Sequence, residues 1–272
     1  MKVIDNYLEM SLWVKNNDKT IGFVPTMGAL HEGHLSLIEK AKRKSEKVIV
    51  SIFVNPTQFN NNTDFSSYPK TIDNDLLKLK ASGVDIIYIP KSVTDIYDNE
   101  TPTSVNVDNI AGIMEGKFRT GHFDGVLRVV NIFLCLIKPN YAFFGEKDYQ
   151  QLLIIKKLAA TLDFSCEIVG CSTVREANGL AMSSRNLLLS EKNKKDALII
   201  QDAFKYCIDN FKSKGILEIQ QNCIEILSTK AKVEYFDIRD EKTLIENKTN
   251  TCRAFVAIKV GDVRLIDNFL IT

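Results

Sequence analysis

Five short apolar runs recur along the first two thirds of the chain: TIGFVP at 20–25, VIVSIFVN at 47–54, VDIIYIP at 84–90, YAFFG at 141–145 and CEIVGCSTV at 166–174. Each is rich in β-branched and aromatic residues and apolar at successive rather than alternate positions, which is the pattern of a parallel strand covered on both faces. Between them, LSLIEKAKRKS, DNDLLKLKAS, GVLRVVNIFLCLIK and QLLIIKKLAATL place apolar residues at spacings of three and four, as crossover helices require. Together they predict an α/β fold built on a doubly wound parallel sheet.

After Arg185 the pattern changes. Two long helices with polar faces are predicted near 190–213 and 215–230, followed by KVEYFDIRD, TCRAFVAIKV and VRLIDNFLI. The last two runs flank Gly261-Asp262, a hairpin turn, so a smaller C-terminal α+β domain with an antiparallel sheet is expected. The boundary is placed near 175, giving domains 1–175 and 176–272. The segment 91–121 reads as irregular, and KFRTGHFDG as a loop overhanging the ligand crevice.

Composition narrows the function. Lys and Arg total 35 against 34 Asp and Glu, so no net field favours a nucleic acid or an anionic membrane, and phosphate binding must be local. The six cysteines lie mostly in apolar runs without a CxxC pair or a zinc-ligand spacing, and read as reduced core residues. The first residues carry Asp5 and Glu9 in place of a signal peptide's apolar block, and no stretch of 18 uncharged apolar residues follows, so a cytoplasmic protein is expected.

In a doubly wound sheet ligands collect beyond the carboxyl ends of the strands, where PTMGALHEGH, NPTQF, GEKDYQQ and REANGLAMSSRN all fall. His31 and His34 stand three apart at the start of a helix, where unpaired N–H groups and the positive dipole end favour an anion and neutral imidazole. Isolated histidines are ordinarily surface or core residues. Here two of the chain's three fall within four positions, after a strand and between glycines, which points to phosphate chemistry. HEGH lacks the zincin spacing and the third histidine, His122, is distant; GxxxxGK[ST] and GxGxxG are both absent. Lys147 in GEKD could neutralise a triphosphate, and Ser183, Ser184 and Arg185 add hydroxyls and a bidentate donor, although each motif alone reads as an ordinary solvated turn.

PTMGALHEGH, IFVNPTQF, GHFDGV, FFGEKDYQQL, REANGLAMSSRN and RLIDN, spread over the whole chain, resemble the motifs of the pantothenate synthetase (pantoate–β-alanine ligase) family of the HxGH nucleotidyltransferase superfamily. In that superfamily, which includes class I aminoacyl-tRNA synthetases, AMSSR is similar to the mobile KMSKS loop. The resemblance implies a Rossmann-like fold, a homodimer, Mg²⁺, and the substrates ATP, (R)-pantoate and β-alanine. It implies His34, His31 and Lys147 as the catalytic set. The implied ATP site is Pro25, Thr26, Met27, Gly28, Ala29, Leu30, His31, Glu32, Gly33 and His34, with Asn55, Gly145, Glu146, Lys147, Asp148, Val174, Met182, Ser183, Ser184 and Arg185. Gln58 and Gln151 would bind pantoate, since an amide both donates to a carboxylate and accepts from a hydroxyl; Phe59, Met27 and Pro25 would face its gem-dimethyl group. Asn178 stands where many members carry an acid, and Asp75, beside Asn74, is the acidic position picked for a metal, with no ligand set assigned.

The implied reaction is ATP-dependent ligation of pantoate and β-alanine to pantothenate through a pantoyl adenylate, releasing AMP and pyrophosphate, with loops 57–68 and 175–186 shielding the adenylate from water. Three rival readings remain. A nucleotidyltransferase acting on a phosphorylated acceptor would want cations in place of Gln58 and Gln151, a turnover-free regulator would show damaged motifs, and an RNA-binding relative would show a basic, aromatic-interleaved face.

Overall fold

The computed structural model describes residues 1–60, 62–99, 105–246 and 251–271. The chain forms two compact units, Met1–Glu146 with Gln150–Ser172, and Lys147–Tyr149 with Thr173–Thr272. Among the described residues no helix is long and apolar enough to cross a membrane.

The first unit runs β1 (Lys2–Ile4), α1 (Tyr7–Lys15), β2 (Ile21–Thr26), α2 (Glu32–Lys44), β3 (Lys47–Ile52), α3 (Asn62–Ser67), α4 (Ile72–Ala81), β4 (Ile86–Tyr88), α5 (Val93–Tyr97), α6 (Asp108–Ala111), α7 (Met114–Phe118), α8 (His122–Ile137), β5 (Tyr141–Gly145), α9 (Tyr149–Thr161) and β6 (Glu167–Cys171). Among the described residues its six strands are parallel in the order β1-β4-β3-β2-β5-β6. Val24, Val50, Ile87 and Phe143 project from the sheet onto Leu37, Ile38 and Ala41, the apolar stripe of α2. Towards α8, the Phe133 ring meets Phe23, Phe53 and Tyr88 edge-on at centroid distances of 5.8, 6.2 and 6.0 Å, each such pair adding roughly 0.5–1.5 kcal/mol beyond simple burial. This is the doubly wound α/β fold expected from the apolar runs.

Three details differ from the sequence reading. The three-residue edge strand β1 extends the sheet next to β4; with two of its side chains exposed it carries no apolar run to announce it. The HFDG of KFRTGHFDG is not loop but the first turn of α8, and 91–121 holds the short helices α5, α6 and α7, with 100–104 outside the described residues. The helix predicted over 190–213 divides at Leu198 into α10 (Glu191–Ala197) and α11 (Ile199–Asn210), where tighter i→i+3 bonds interrupt the α pattern.

In the second unit α10, α11 and α12 (Ile216–Ser228) precede β7 (Lys232–Asp240), β8 (Cys252–Val260) and β9 (Val263–Ile271), an antiparallel sheet with β8 central and the Gly261-Asp262 turn joining β8 to β9. Phe204, Cys207, Ile219 and Cys223 of the helices pack on Phe236, Ile238, Ala254, Val256 and Ile258 of the sheet. Alternation along β9 puts Val263, Leu265 and Ile271 on this core face and the even-numbered residues on the opposite one.

Candidate active site

β2 is paired with β3 from Ile21 to Thr26, but among the described residues it meets β5 only at Gly22 and Phe23. Past Phe23 the two strands part, and β5 continues along β6. The chain order reverses between β2 and β5, so the gap at their carboxyl ends is the switch-point crevice of the fold. The turn Met27–His31 leaves β2 there, and Gly145-Glu146 leaves β5 there.

The turn is held from below. Thr26 Oγ1 donates to the Ser51 carbonyl (2.7 Å) and accepts from Gly28 N (3.2 Å). Gly28 (φ 79°) and Ala29 (φ 50°) are consecutive left-handed residues, a conformation costing a side-chain-bearing residue about 1–2 kcal/mol. A Cβ on Gly28 would stand 3.1 Å from both Asp75 Oδ2 and Ile52 Cγ2. Asp75, fully buried, accepts from Ala29 N and Leu30 N, each at 2.8 Å, and from Thr71 Oγ1 at 3.1 Å, while Lys78 donates to the Leu30 carbonyl. The Asp75 carboxylate is thus occupied by the turn. The sequence picked it as the acidic position for a metal; the structure makes it a strut beneath the histidines.

His31 is the N-cap of α2. Its Nδ1 accepts from Gly33 N (3.1 Å) and His34 Nδ1 accepts from His31 N (3.3 Å), a capping box made of two imidazoles. A ring nitrogen that accepts a backbone N–H carries no proton, so in both neutral rings the proton sits on Nε2. The rings lie 4.1 Å apart, centroid to centroid, and are half-buried. The backbone thereby fixes two adjacent Nε2–H donors at the positive end of a helix dipole, suited to an oxygen that gains negative charge.

The NPTQ turn is built as tightly. Asn55, 1% exposed, uses both amide hydrogens on Gln58 Oε1 (3.1 Å) and the Gly125 carbonyl (3.0 Å), and its oxygen accepts from Thr57 N (3.2 Å), Thr57 Oγ1 (3.0 Å) and Tyr97 OH (2.7 Å). Asn55, expected beside the ATP phosphates, has its amide engaged within the protein and orients Gln58. The Gln58 carbonyl accepts from His122 Nδ1 (2.8 Å) and Arg119 Nη2 (3.3 Å), and Gln58 Nε2 points to Met27 Sδ (2.9 Å). A carbonyl only accepts and Arg119 Nη1, 3.2 Å from His122 Nε2, only donates, so His122 is neutral with its proton on Nδ1. Glycine is obligatory at 125 because a Cβ would fall 2.3 Å from the Thr57 carbonyl oxygen. Phe59 packs edge-on against Phe65 and Tyr68 at 5.3 and 5.8 Å. In α9, Gln150 is buried and bound to Ile110 O, Ile113 O and Glu115 N, whereas Gln151 is half-buried and makes no side-chain hydrogen bond among the described residues.

In the second unit, Lys147 and Asp148 belong to a single 3-10 turn, with Nζ 3.5 Å from Asp148 Oδ2. Residues 174–182 form a small hairpin: Met182 N donates to Val174 O, Arg175 bridges Ala181, and Glu176 N donates to Leu180 O. Asn178 Oδ1 accepts from Leu180 N at 3.0 Å, a turn role that needs only an oxygen and no charge. Ser183 caps the following 3-10 turn by accepting from Arg185 N (3.3 Å), Ser184 is buried, and Asn186 donates to Glu176 Oε1 (2.7 Å). The Arg175 guanidinium sits bidentate on Asp267 at 2.6 and 3.0 Å. Sequence reasoning assigned no role to Tyr97, Arg119, His122, Asp267 or Asn268. KFRTGHFDG and GHFDGV marked the neighbourhood of Arg119, His122 and Gly125, and RLIDN that of Asp267 and Asn268.

A doubly wound sheet with an open switch point, and a helix start carrying two imidazole donors beside it, define the class as Rossmann-like α/β. Comparison with known proteins makes this specific. The Pantoate-beta-alanine ligase family pattern matches residues 2–270. Pantothenate synthetase of Flavobacterium psychrophilum is 41% identical, covering 98% of this chain and 99% of that protein. Solved pantothenate synthetase from Thermus thermophilus superposes with a TM-score of 0.91 at 36% identity, covering 99% of each chain. Pantoate-beta-alanine ligase from Francisella tularensis, solved complexed with beta-gamma ATP and beta-alanine, gives 0.84 at 40% identity, covering 99% of this chain and 97% of that one. The chain belongs to the pantoate–β-alanine ligase family and is a ligase of pantothenate biosynthesis.

Proposed function

We propose that this enzyme joins (R)-pantoate and β-alanine to pantothenate through a pantoyl adenylate, with AMP and pyrophosphate as the other products. The observation that carries the reading is the histidine pair whose Nε2 protons are fixed by backbone donors at the crevice. The pantoate carboxylate, ionised at neutral pH, attacks the α-phosphorus of ATP in line; the P–O bond to pyrophosphate breaks as the acyl–phosphate bond forms. His34 and His31 donate to the oxygens on which charge accumulates, and Lys147, Ser183, Ser184 and Arg185 neutralise the triphosphate. The deprotonated amine of β-alanine then attacks the acyl carbon and AMP leaves.

Gln58 and Gln151 take pantoate: Asn55, His122 and Arg119 fix the first in place, and Gln151 presents an amide without an internal partner among the described residues. The segment from Met27 to His34 lines the nucleotide, while Pro25, Met27 and Phe59 supply apolar surface. Loops 57–68 and 175–186 are the elements that shield the adenylate; Asn61 lies outside the described residues.

Among the described residues no group of three His, Cys, Asp or Glu side chains is arranged to hold an ion, and both Asp75 oxygens are occupied. Mg²⁺ is proposed as part of the MgATP substrate, carried mainly by phosphates and water. The family also implies a homodimer, which sedimentation of the purified protein tests.

The test of the reaction is pantoate-dependent exchange of labelled pyrophosphate into ATP without β-alanine, followed by mass spectrometry of AMP and pantothenate once β-alanine is added. Exchange without the amine supports the adenylate. Pantothenate formation with no exchange and no isolable pantoyl adenylate would exclude a freely reversible adenylate step.

A further inference from the structure

RLIDN is the motif to which the reaction assigns no part. Its last two residues, Asp267 and Asn268, are each 4% exposed and adjacent on β9, an edge strand. Consecutive side chains on a strand point to opposite faces, so the pair reaches two ways. Asp267 lies on the side of Leu265 and Ile271 and holds Arg175 bidentate, and with it the hairpin that leads into Ser183–Arg185. Asn268 lies on the other face, opposite Phe255 in register. There its Nδ2 donates to the Lys147 carbonyl (2.8 Å) and its Oδ1 accepts from Arg253 Nη1 (2.6 Å).

Arg253 is itself fixed. Its guanidinium lies 3.9 Å from the Tyr149 ring centroid and its Nη2 donates to Glu241 Oε1 at 2.9 Å, the same oxygen that accepts from Tyr149 OH at 3.1 Å. Lys147–Tyr149 is therefore gripped at both ends, by Asn268 at the Lys147 carbonyl and by Arg253, Glu241 and Phe255 around Tyr149. Asn268 N donates to Asp267 Oδ1 (2.8 Å), which ties the two grips together. Lys147–Tyr149 thus belongs with the second unit, although β5 and the rest of α9 belong to the first.

We propose that Asp267 and Asn268 are positioning residues for ATP: two neighbouring side chains on opposite faces of β9 that set Lys147 and the Arg175–Arg185 hairpin in one fixed relation. The proposal rests on the reading of Lys147 and Arg185 as phosphate-binding groups. A lysine on a short turn delivers its charge accurately only when its backbone is immobile, and a carbonyl fixed by a buried amide provides that immobility. Asparagine is required at 268 because one end must donate to the Lys147 carbonyl while the other accepts from Arg253.

The experiment compares Asn268→Asp, Asn268→Ala and Lys147→Met, singly and combined, in the full-length enzyme. Asn268→Asp preserves shape and the Arg253 contact but sets a carboxylate oxygen against the Lys147 carbonyl, so it tests the idea even where Asn268→Ala folds poorly. The expected result is a rise of about tenfold in KM for ATP, the size of one lost hydrogen bond, with KM for pantoate unchanged and no further rise when Asn268→Asp is added to Lys147→Met. Asp267→Asn combined with Arg185→Gln should behave in the same non-additive way. A folded Asn268→Asp enzyme with normal KM for ATP, equal rises in both KM values, or full additivity with Lys147→Met overturns the positioning role. If Lys147→Met itself binds ATP normally, the phosphate-binding reading of Lys147 falls, and the coupling built on it falls too. Damage in Lys147→Met with none in Asn268→Asp removes the coupling alone.

Discussion

Replacing Asp75 by asparagine should uncouple the histidines from the sheet without changing side-chain volume. In the native turn one buried carboxylate takes two backbone N–H groups at 2.8 Å each, from Ala29 and Leu30. Hydrogen bonds to a charged acceptor contribute about 1.5–3 kcal/mol each. Asparagine can accept one of them, as a neutral bond of about 1 kcal/mol, and turns its NH₂ towards the other donor, which is left buried without a partner. The net loss is about 3 kcal/mol, larger than the roughly 1–2 kcal/mol cost of the left-handed Ala29 that these bonds offset. The turn then relaxes, and with it the N-cap that aims His31 and His34. An error of about 1 Å in such groups costs on the order of 100-fold in rate. Steady-state pyrophosphate release should show that fall in kcat, while calorimetric binding of pantoate, which the proposed function assigns to Gln58 and Gln151, stays near wild type. Thr71→Ala removes a single neutral hydrogen bond to the same carboxylate, so its effect should be smaller. Asp75→Asn with wild-type kcat and wild-type melting temperature would refute the reasoning.

The other predictions separate structure from chemistry. His31→Asn keeps a good N-cap and so should melt close to wild type, yet lose about 100-fold in pyrophosphate release for want of Nε2–H; His31→Ala should lose a further ~1 kcal/mol of stability in a denaturant titration. Gly125→Ala drives a Cβ to 2.3 Å from the Thr57 carbonyl, and should raise KM for pantoate well above KM for ATP, with a cost of about 1–3 kcal/mol in unfolding free energy. Burial pushes the Cys166 thiol up to about 12 and raises Cys171 from 9.0. Because the folded state holds these protons more tightly, the associated stability is fully present below pH 9 and declines as pH rises towards 12. Urea midpoints at several pH values between these limits, and slow alkylation of Cys166 in the native protein, check this.

What the sequence announces and what it conceals follow from the range of the interactions. Strands β2 to β5 are legible because a parallel strand buried on both faces must be continuously apolar, and α2 because its cap, histidines and apolar stripe lie within a few residues of one another. The start of α8 is hidden: His122 and Gly125 look like loop residues until α8 is seen pressed against the NPTQ turn, with His122 Nδ1 on a carbonyl 64 residues away. Asp75 looks like a metal ligand because nothing local shows that Ala29 and Leu30 will take its oxygens. The partners of Asn55 are hidden in the same way, Tyr97 and Gly125 being supplied by α5 and α8. Polar residues whose partners are distant in sequence read as available for a ligand until the fold shows what they hold.

The placement of Lys147–Tyr149 limits how this protein can be divided. The backbone passes between the units at Glu146, again at Tyr149 and a third time at Ser172. A fragment ending at Ser172 would strip the tripeptide of the sheet that anchors it. One beginning at Thr173 would leave the Arg253 guanidinium without the aromatic ring on which it lies and Asn268 without the carbonyl it binds. Truncation mapping, split-protein complementation and domain exchange at the apparent boundary would therefore measure damage to the C-terminal sheet rather than the separate capacities of two modules. A transplant of the C-terminal half into another scaffold would have to carry a copy of Lys147–Tyr149 with it.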